Sequence, residues 1–168
     1  MVILFCDKNS VIEKEIIEIL KRHGFNAITD QGICILNKNP IILSAYKKTR
    51  LNLERGIAVF CDNTNIFRGQ FLPKNIVGIC EQENHTALQI LKDNKSQSIV
   101  CGVSPLSSVT ISSIKEGVYL ITLQRTVSNC YGKDIEPSEF KITLSEKYNP
   151  FSVMASLLIL LLESKNFE

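Results

Sequence analysis

The chain lacks tryptophan, has two methionines, and spreads eight glycines and five prolines over 168 residues. So few structure-breaking residues exclude a collagen-like or low-complexity chain, and no Pro/Gly/Ser-rich linker or fixed-period repeat marks a place to divide it. Excess charge of one sign is also absent. Nineteen basic against seventeen acidic residues leave a formal charge of +2, too little to neutralise the phosphates of a general nucleic-acid target. Long hydrophobic runs are missing too. The longest, Val153 to Leu162, is ten residues including Ser156, against the roughly 20 needed to cross a bilayer as a helix, so a buried helix and no membrane partner are expected. The six cysteines, Cys6, Cys34, Cys61, Cys80, Cys101 and Cys130, form no C-x-x-C pair and are almost evenly spaced. That is unlike the crowded framework of a small secreted disulfide protein. The opening Met1 to Asp7 has neither a basic stretch nor a small-residue cleavage site, so it reads as a strand rather than a secretory signal, and a reducing cytoplasm is the expected setting.

What is present is 45% apolar, 21% charged and 7% aromatic, the balance of a globular domain with one sizeable core. Val2 to Cys6 is an apolar strand, Asp7-Lys8-Asn9 a polar bend, and Ser10 with Glu13 a capping box that opens a helix. Ile12, Ile16, Ile19, Leu20 and His23 recur at helical spacing, Lys21 and Arg22 suit the last turn, and Gly24 supplies a left-handed stop. Short extended pieces follow near Phe25 to Thr29, Ile33 to Leu36 and Ile41 to Tyr46, separated by turn residues at 30–32 and 37–40; their pairing is not legible. Lys47 to Arg55 reads as a short helix or a loop. Beyond it come a strand over Ile57 to Cys61, a polar loop over Asp62 to Asn75, and a strand over Ile76 to Cys80. A helix over Asn84 to Asn94 turns Ala87, Leu88 and Leu91 to one face, and a strand over Ser98 to Cys101 follows. Apolar runs alternating with helices predict a mostly parallel sheet. Val109 to Ile111, Val118 to Leu123 and Phe140 to Leu144, with a turn at Tyr131 to Asp134, predict an antiparallel meander, and Asn149-Pro150 opens the last helix.

Glycine-rich bends bring backbone amides to an anion at a helix N-terminus, but the bend after the first strand is Cys6-Asp7-Lys8-Asn9-Ser10, without glycine or G-K-[ST]. Lys8, Asn9 and Ser10 remain candidates for anion binding, with helix capping as the plainer role. Three strands end Phe5-Cys6-Asp7, Phe60-Cys61-Asp62 and Ile79-Cys80-Glu81, and a fourth ends Val100-Cys101-Gly102. In a parallel arrangement Cys6, Asp7, Asp62, Cys80, Glu81 and Cys101 would line the carboxyl edge, where ligands of open α/β sheets bind. Thiols and carboxylates gathered there would suit zinc or a reactive thiol, while cysteine is equally a small apolar residue suited to buried strand ends. His23 and His85 sit at helix ends with no nucleophile patterned beside them, Ser104-Pro105-Leu106-Ser107-Ser108 is not a nucleophile elbow, and Glu136-Pro137-Ser138-Glu139 reads as a solvated turn. Arg125, at the end of an apolar strand, calls for an acidic partner that the sequence does not name.

Two resemblances follow. The opening strand, helix and Gly24-Phe25 resemble a response-regulator receiver, with Asp62 in the phosphoacceptor place. A receiver, however, carries an acidic pair where this chain has Asp7-Lys8, and a lysine where it has Ser104-Pro105. The fuller resemblance is to the central domain of Mur ligases, ATP-dependent enzymes that add amino acids to peptidoglycan precursors. It rests on the helix ending Glu18 to Gly24, on Gly78 to Asn84 as a strand ending in acids, and on Ile99 to Ser104 as the next strand. Val109 to Ile114 with the following hairpin, and Tyr148 to Ser156 at the closing helix, complete it. The resemblance implies a three-layer, Rossmann-like, mostly parallel sheet over residues 1–168 with an antiparallel extension and a closing buried helix. It also implies a phosphate loop, GTNGKT, which Cys6 to Ser10 replaces here, and flanking domains that have no counterpart in the chain. The expectation is a non-catalytic binding or scaffolding domain with no cofactor, partnered by a second copy or another protein. Its competitors are a small enzyme or metal protein using the strand-end residues, and a receiver phosphorylated on Asp62.

Overall fold

The structure, a computed structural model, describes residues 1–35 and 40–164. The end of the extended piece expected over Ile33 to Leu36, and the turn at 37–39, lie outside the described residues. In chain order the elements are β1 (Val2–Phe5), α1 (Val11–Arg22), β2 (Asn26–Thr29), β3 (Gly32–Cys34), β4 (Ile41–Ala45) and β5 (Gly56–Phe60). After a 3-10 turn at Asn65–Phe67 come β6 (Ile76–Glu81), α2 (His85–Asp93), β7 (Gln97–Gly102), β8 (Val109–Lys115) and β9 (Val118–Leu123). The chain continues through β10 (Val127–Ser128), β11 (Asp134–Ile135), β12 (Ser138–Thr143) and α3 (Pro150–Leu162). Ten strands share one sheet in the order β12-β9-β8-β7-β6-β5-β1-β4-β2-β3, and β10 with β11 make a separate hairpin.

The sheet is parallel from β2 through β8 and antiparallel at both ends, where β3 returns on β2 and β9 and β12 follow β8. The antiparallel meander expected from the sequence is β8-β9-β12, and it joins the parallel part through β8, which pairs with β7 in parallel, Cys101 opposite Val109. The central strands β1 and β5 are apolar at every position because both faces are covered. Val2, Leu4, Ile57, Val59, Ile79 and Ile99 face α1 and α3, whereas Ile3, Phe5, Ala58, Phe60 and Ile76 face α2 and the loop before β6.

Local signals set the helices. Ser10 caps α1 by accepting from the Glu13 amide at 3.3 Å, and Gly24 takes φ +79° just past the helix. The reciprocal half of the capping box does not form: the Ser10 amide donates to the Asp7 carbonyl at 3.1 Å, and the Glu13 carboxylate turns to the sheet instead. Asn84 caps α2, whose buried residues are Ala87, Ile90 and Leu91, so Ile90 rather than Leu88 completes the face. At Gly78 a Cβ would lie 2.0 Å from a Leu91 methyl, so only glycine lets α2 come this close to β6. The loop over Asp62 to Asn75 is less polar in its structure than in its sequence. Phe67 and Leu72 enter the core beside Phe5, and Gln70 is buried with its side-chain amide donating to the carbonyls of Thr49 and Phe71. Residues 47–55 form a loop without helix. Asn149 caps α3 with Pro150 in its first turn, and nearly the whole helix is buried between α1 and the sheet. The Tyr119 hydroxyl donates to the Tyr148 carbonyl at 3.0 Å and accepts from its amide at 2.8 Å, fixing where that helix begins. Ser138 and Glu139 start β12 rather than a solvated turn, and Arg125 is exposed and forms no ion pair among the described residues.

Candidate functional site

The ends of β1, β5, β6 and β7 stand side by side. Phe5 is opposite Phe60, Phe60 opposite Cys80, and Glu81 opposite Cys101, so the strand-end residues share one carboxyl edge. Alternation along the strands then divides them. Cys6, Cys61 and Cys101 point into the core beneath α1 and α3, Cys80 into the core beneath α2, and Asp7, Asp62 and Glu81 are left half-buried at the rim. Burial pushes the Cys61 and Cys101 thiols well above the ordinary value and Cys80 up to about 12, with Glu81 adding to the effect on Cys80. A thiol held this far up is neutral at pH 7 and a weak nucleophile. Among the described residues no group of three or more His, Cys, Asp or Glu side chains is placed to hold a metal ion.

Two amides of the bend between β1 and α1 are used within the protein. The Asp7 amide donates to Asp62 Oδ2 at 2.9 Å, and the Ser10 amide and hydroxyl are both engaged in the turn and the cap. Lys8 and Asn9 are exposed, Asn9 at φ +69°, the left-handed conformation that asparagine tolerates better than most residues. The neighbouring loops are tied to one another. Asn84 donates to the Asp62 carbonyl at 3.1 Å, Asn63 to that of Glu83 at 3.2 Å, and the Gln82 amide to that of Cys101 at 2.8 Å. Ser107, buried, donates to Gln82 Oε1 at 3.0 Å. The rim is acidic: burial raises the Glu81 carboxyl above the usual carboxylate range, and Glu83 and then Asp62 push it further. His85 lies exposed at the start of α2 and His23 caps the end of α1, on separate elements.

A second feature has no sequence signal. Glu13, Tyr46 and Asp30 meet at a cleft of about 470 Å³ between α1 and the β2–β3 hairpin. Glu13 Oε1 accepts from the Ser44 hydroxyl and, at 2.7 Å, from the Tyr46 hydroxyl, which also lies 3.1 Å from Asp30 Oδ1. Burial, followed by the bond to Glu13, raises the Tyr46 phenol above its ordinary value. These residues converge only because β4 inserts between β1 and β2, a pairing the short strands do not announce.

No protein-family model and no curated protein matches the chain. Solved structures do. The chain is similar to a UDP-N-acetylmuramoyl-L-alanyl-D-glutamate–2,6-diaminopimelate ligase with a TM-score of 0.60 and 10% identity, over 99% of this chain and 43% of the ligase. It is also similar to the UDP-N-acetylmuramate:L-alanyl-γ-D-glutamyl-meso-diaminopimelate ligase from Neisseria meningitides, with a TM-score of 0.57 and 10% identity, over 100% of this chain and 62% of that one. The chain therefore resembles Mur ligase domains in fold, and it spans less than two thirds of either ligase. Among the described residues no helix is long and apolar enough to cross a membrane.

Proposed function

We propose that this chain is a Mur-ligase-like domain that binds or scaffolds rather than ligates, with its phosphate corner occupied by its own carboxylate. The observation that carries this reading is the 2.9 Å hydrogen bond from the Asp7 amide to Asp62 Oδ2. A phosphate-binding corner needs backbone amides of the first loop free to point at the anion, beside a helix N-terminus. Here Asp62 takes the first of those amides, the Ser10 amide is used within the turn, and the acids Asp7, Asp62, Glu81 and Glu83 surround the position. A triphosphate would have to displace one carboxylate and approach three others. Phosphoryl transfer depends on positioning and charge stabilisation by such amides and a lysine, and Cys6 to Ser10 supply neither in the pattern the resemblance implies. The expected ligand is a protein or a second copy. Val103 and Leu106 support this, standing 85% and 78% exposed on the loop beyond β7 at the same edge.

The strand-end enzyme or metal reading is disfavoured by the division of the thiols between two cores and by their raised pKa values. The receiver reading is disfavoured because Asp62 is engaged and Ser104-Pro105 stand where a receiver has lysine. Calorimetric titration with MgATP tests the proposal. No saturable heat is expected up to about 1 mM ATP, a weakness equivalent to less than about 4 kcal/mol of binding. Micromolar, magnesium-dependent binding would overturn it.

A further inference from the structure

We propose that the cleft between α1 and the β2–β3 hairpin binds a small molecule bearing one primary ammonium group, held by Glu13, Asp30 and the Tyr46 hydroxyl. The cleft lies on the same carboxyl edge, beyond the ends of β4 and β2, but it uses none of Asp7, Asp62, Glu81 and Glu83, on which the reading of the phosphate corner rests.

Glu13 is only 4% exposed, yet it forms no ion pair among the described residues, where the pairs are Met1 with Glu163 and Arg22 with Glu18. Buried carboxylates ordinarily have a cationic partner or a full set of donors. Glu13 has two neutral hydroxyls, Ser44 and Tyr46, both on Oε1, and Oε2 accepts from no protein donor among the described residues. The partial positive charge at the α1 N-terminus supports Glu13 in part, but Asp30, on the facing hairpin, has no such support.

Hydrogen counting sharpens the point. The Tyr46 oxygen lies 2.7 Å from Glu13 Oε1 and 3.1 Å from Asp30 Oδ1. A phenol carries one hydrogen, so only one of those two contacts is a hydrogen bond at any moment, and the other sets two electron-rich oxygens against each other. Neither an N–H donor nor a positive charge contacts the Glu13 or Asp30 carboxylate among the described residues, although Lys14 and Lys21 line the same cleft. An ammonium supplies both, with three donors to distribute over Glu13, Asp30 and the Tyr46 oxygen. A divalent cation fits less well, since no cluster of three or more ligating side chains exists among the described residues.

The rest of the lining selects the body of the ligand. Ile17, Ala27 and Ile33 give the cleft an apolar side, and Lys14, Lys21 and Glu18, the last already paired with Arg22, also line it. Those lysines disfavour a second positive charge and favour a monoamine or a zwitterion. The volume of about 470 Å³ lies within the range of small-ligand sites.

Titration of the ¹⁵N-labelled full chain with three matched probes tests this: 3-methylbutylamine (ammonium alone), leucine (ammonium and carboxylate) and 4-methylpentanoate (carboxylate alone). At least one of the two ammonium probes is expected to shift the Thr29, Asp30 and Tyr46 amides saturably in the millimolar range, and 4-methylpentanoate is not. Tighter binding of leucine than of the amine would assign the lysines to a carboxylate, and equal or weaker binding would assign the site to the ammonium alone. Asp30→Asn, a surface change that leaves the core untouched, is expected to weaken binding about tenfold, the scale of one charged hydrogen bond. Tyr46→Phe provides a second variant. Absence of saturable shifts up to about 10 mM, equal shifts with 4-methylpentanoate, or affinity unchanged in Asp30→Asn would overturn the proposal.

Discussion

Cys80 is the last residue but one of β6, its thiol in the core beneath α2, directly before the half-buried acid Glu81. Burial, helped by Glu81, moves it from 9.0 to about 12. The folded chain therefore keeps a proton that the unfolded chain loses above pH 9. The resulting contribution to stability is whole below pH 9 and is lost as pH climbs toward 12. Urea unfolding across that window should show stability falling with pH, with a shallower slope in Cys80→Ala; an unchanged slope would show that other groups carry the effect. The sequence made the four strand-end cysteines conspicuous, and their alignment along one edge was legible from it. Their division between two cores was not, because that depends on which way each strand's pleat faces once it is seated in the sheet.

Helix α3 is apolar on all sides, so its sequence gives length and burial but no preferred face. Its position is set at the start, where the Tyr119 hydroxyl serves both the amide and the carbonyl of Tyr148. The Tyr148 hydroxyl in turn donates to Glu18 at 2.8 Å and accepts from Arg22 at 3.0 Å, tying α3 to α1. Burial and the bond to Glu18 push the Tyr148 phenol up to about 12. Tyr119→Phe removes one oxygen and leaves two buried backbone groups unpaired, which should lower stability by about 2 kcal/mol. The equilibrium urea midpoint checks this, and a loss below about 0.5 kcal/mol would mean that water replaces the hydroxyl. Caps, the proline at the start of α3 and the glycine stop after α1 were all legible, because they act within a few residues. The partner of Glu13 was not. A capping box and a bond to the sheet begin with the same Ser10 and Glu13, and only the neighbouring β4 decides between them.

Across the molecule, one core continues from β1 through β9 beneath α1 and α3, and α3 touches residues from both halves of the chain. Residues 1–168 are therefore expected to unfold as a single unit. Far-ultraviolet circular dichroism and tyrosine fluorescence, available because the chain has four tyrosines and no tryptophan, should give coincident transitions. Two separated transitions would divide the chain into independent parts. Ligand recognition at this scale depends on two places the fold creates. One is the bend after β1, where Asp62 accepts from the Asp7 amide, and the other is the cleft between α1 and the hairpin, on the same edge beyond β4 and β2.

The sequence by itself determined the alternation of strands and helices, the helix ends, the carboxyl edge and the absence of a glycine-rich phosphate loop. Each follows from local backbone preference or from apolar periodicity, which operate over a handful of neighbouring residues. Only the tertiary structure decided that β4 lies between β1 and β2, that Asp62 occupies the bend after β1, and that Glu13 faces Tyr46 and Asp30. Those contacts join residues far apart in the chain, and three- to five-residue strands carry too few side chains to specify their neighbours before the sheet assembles.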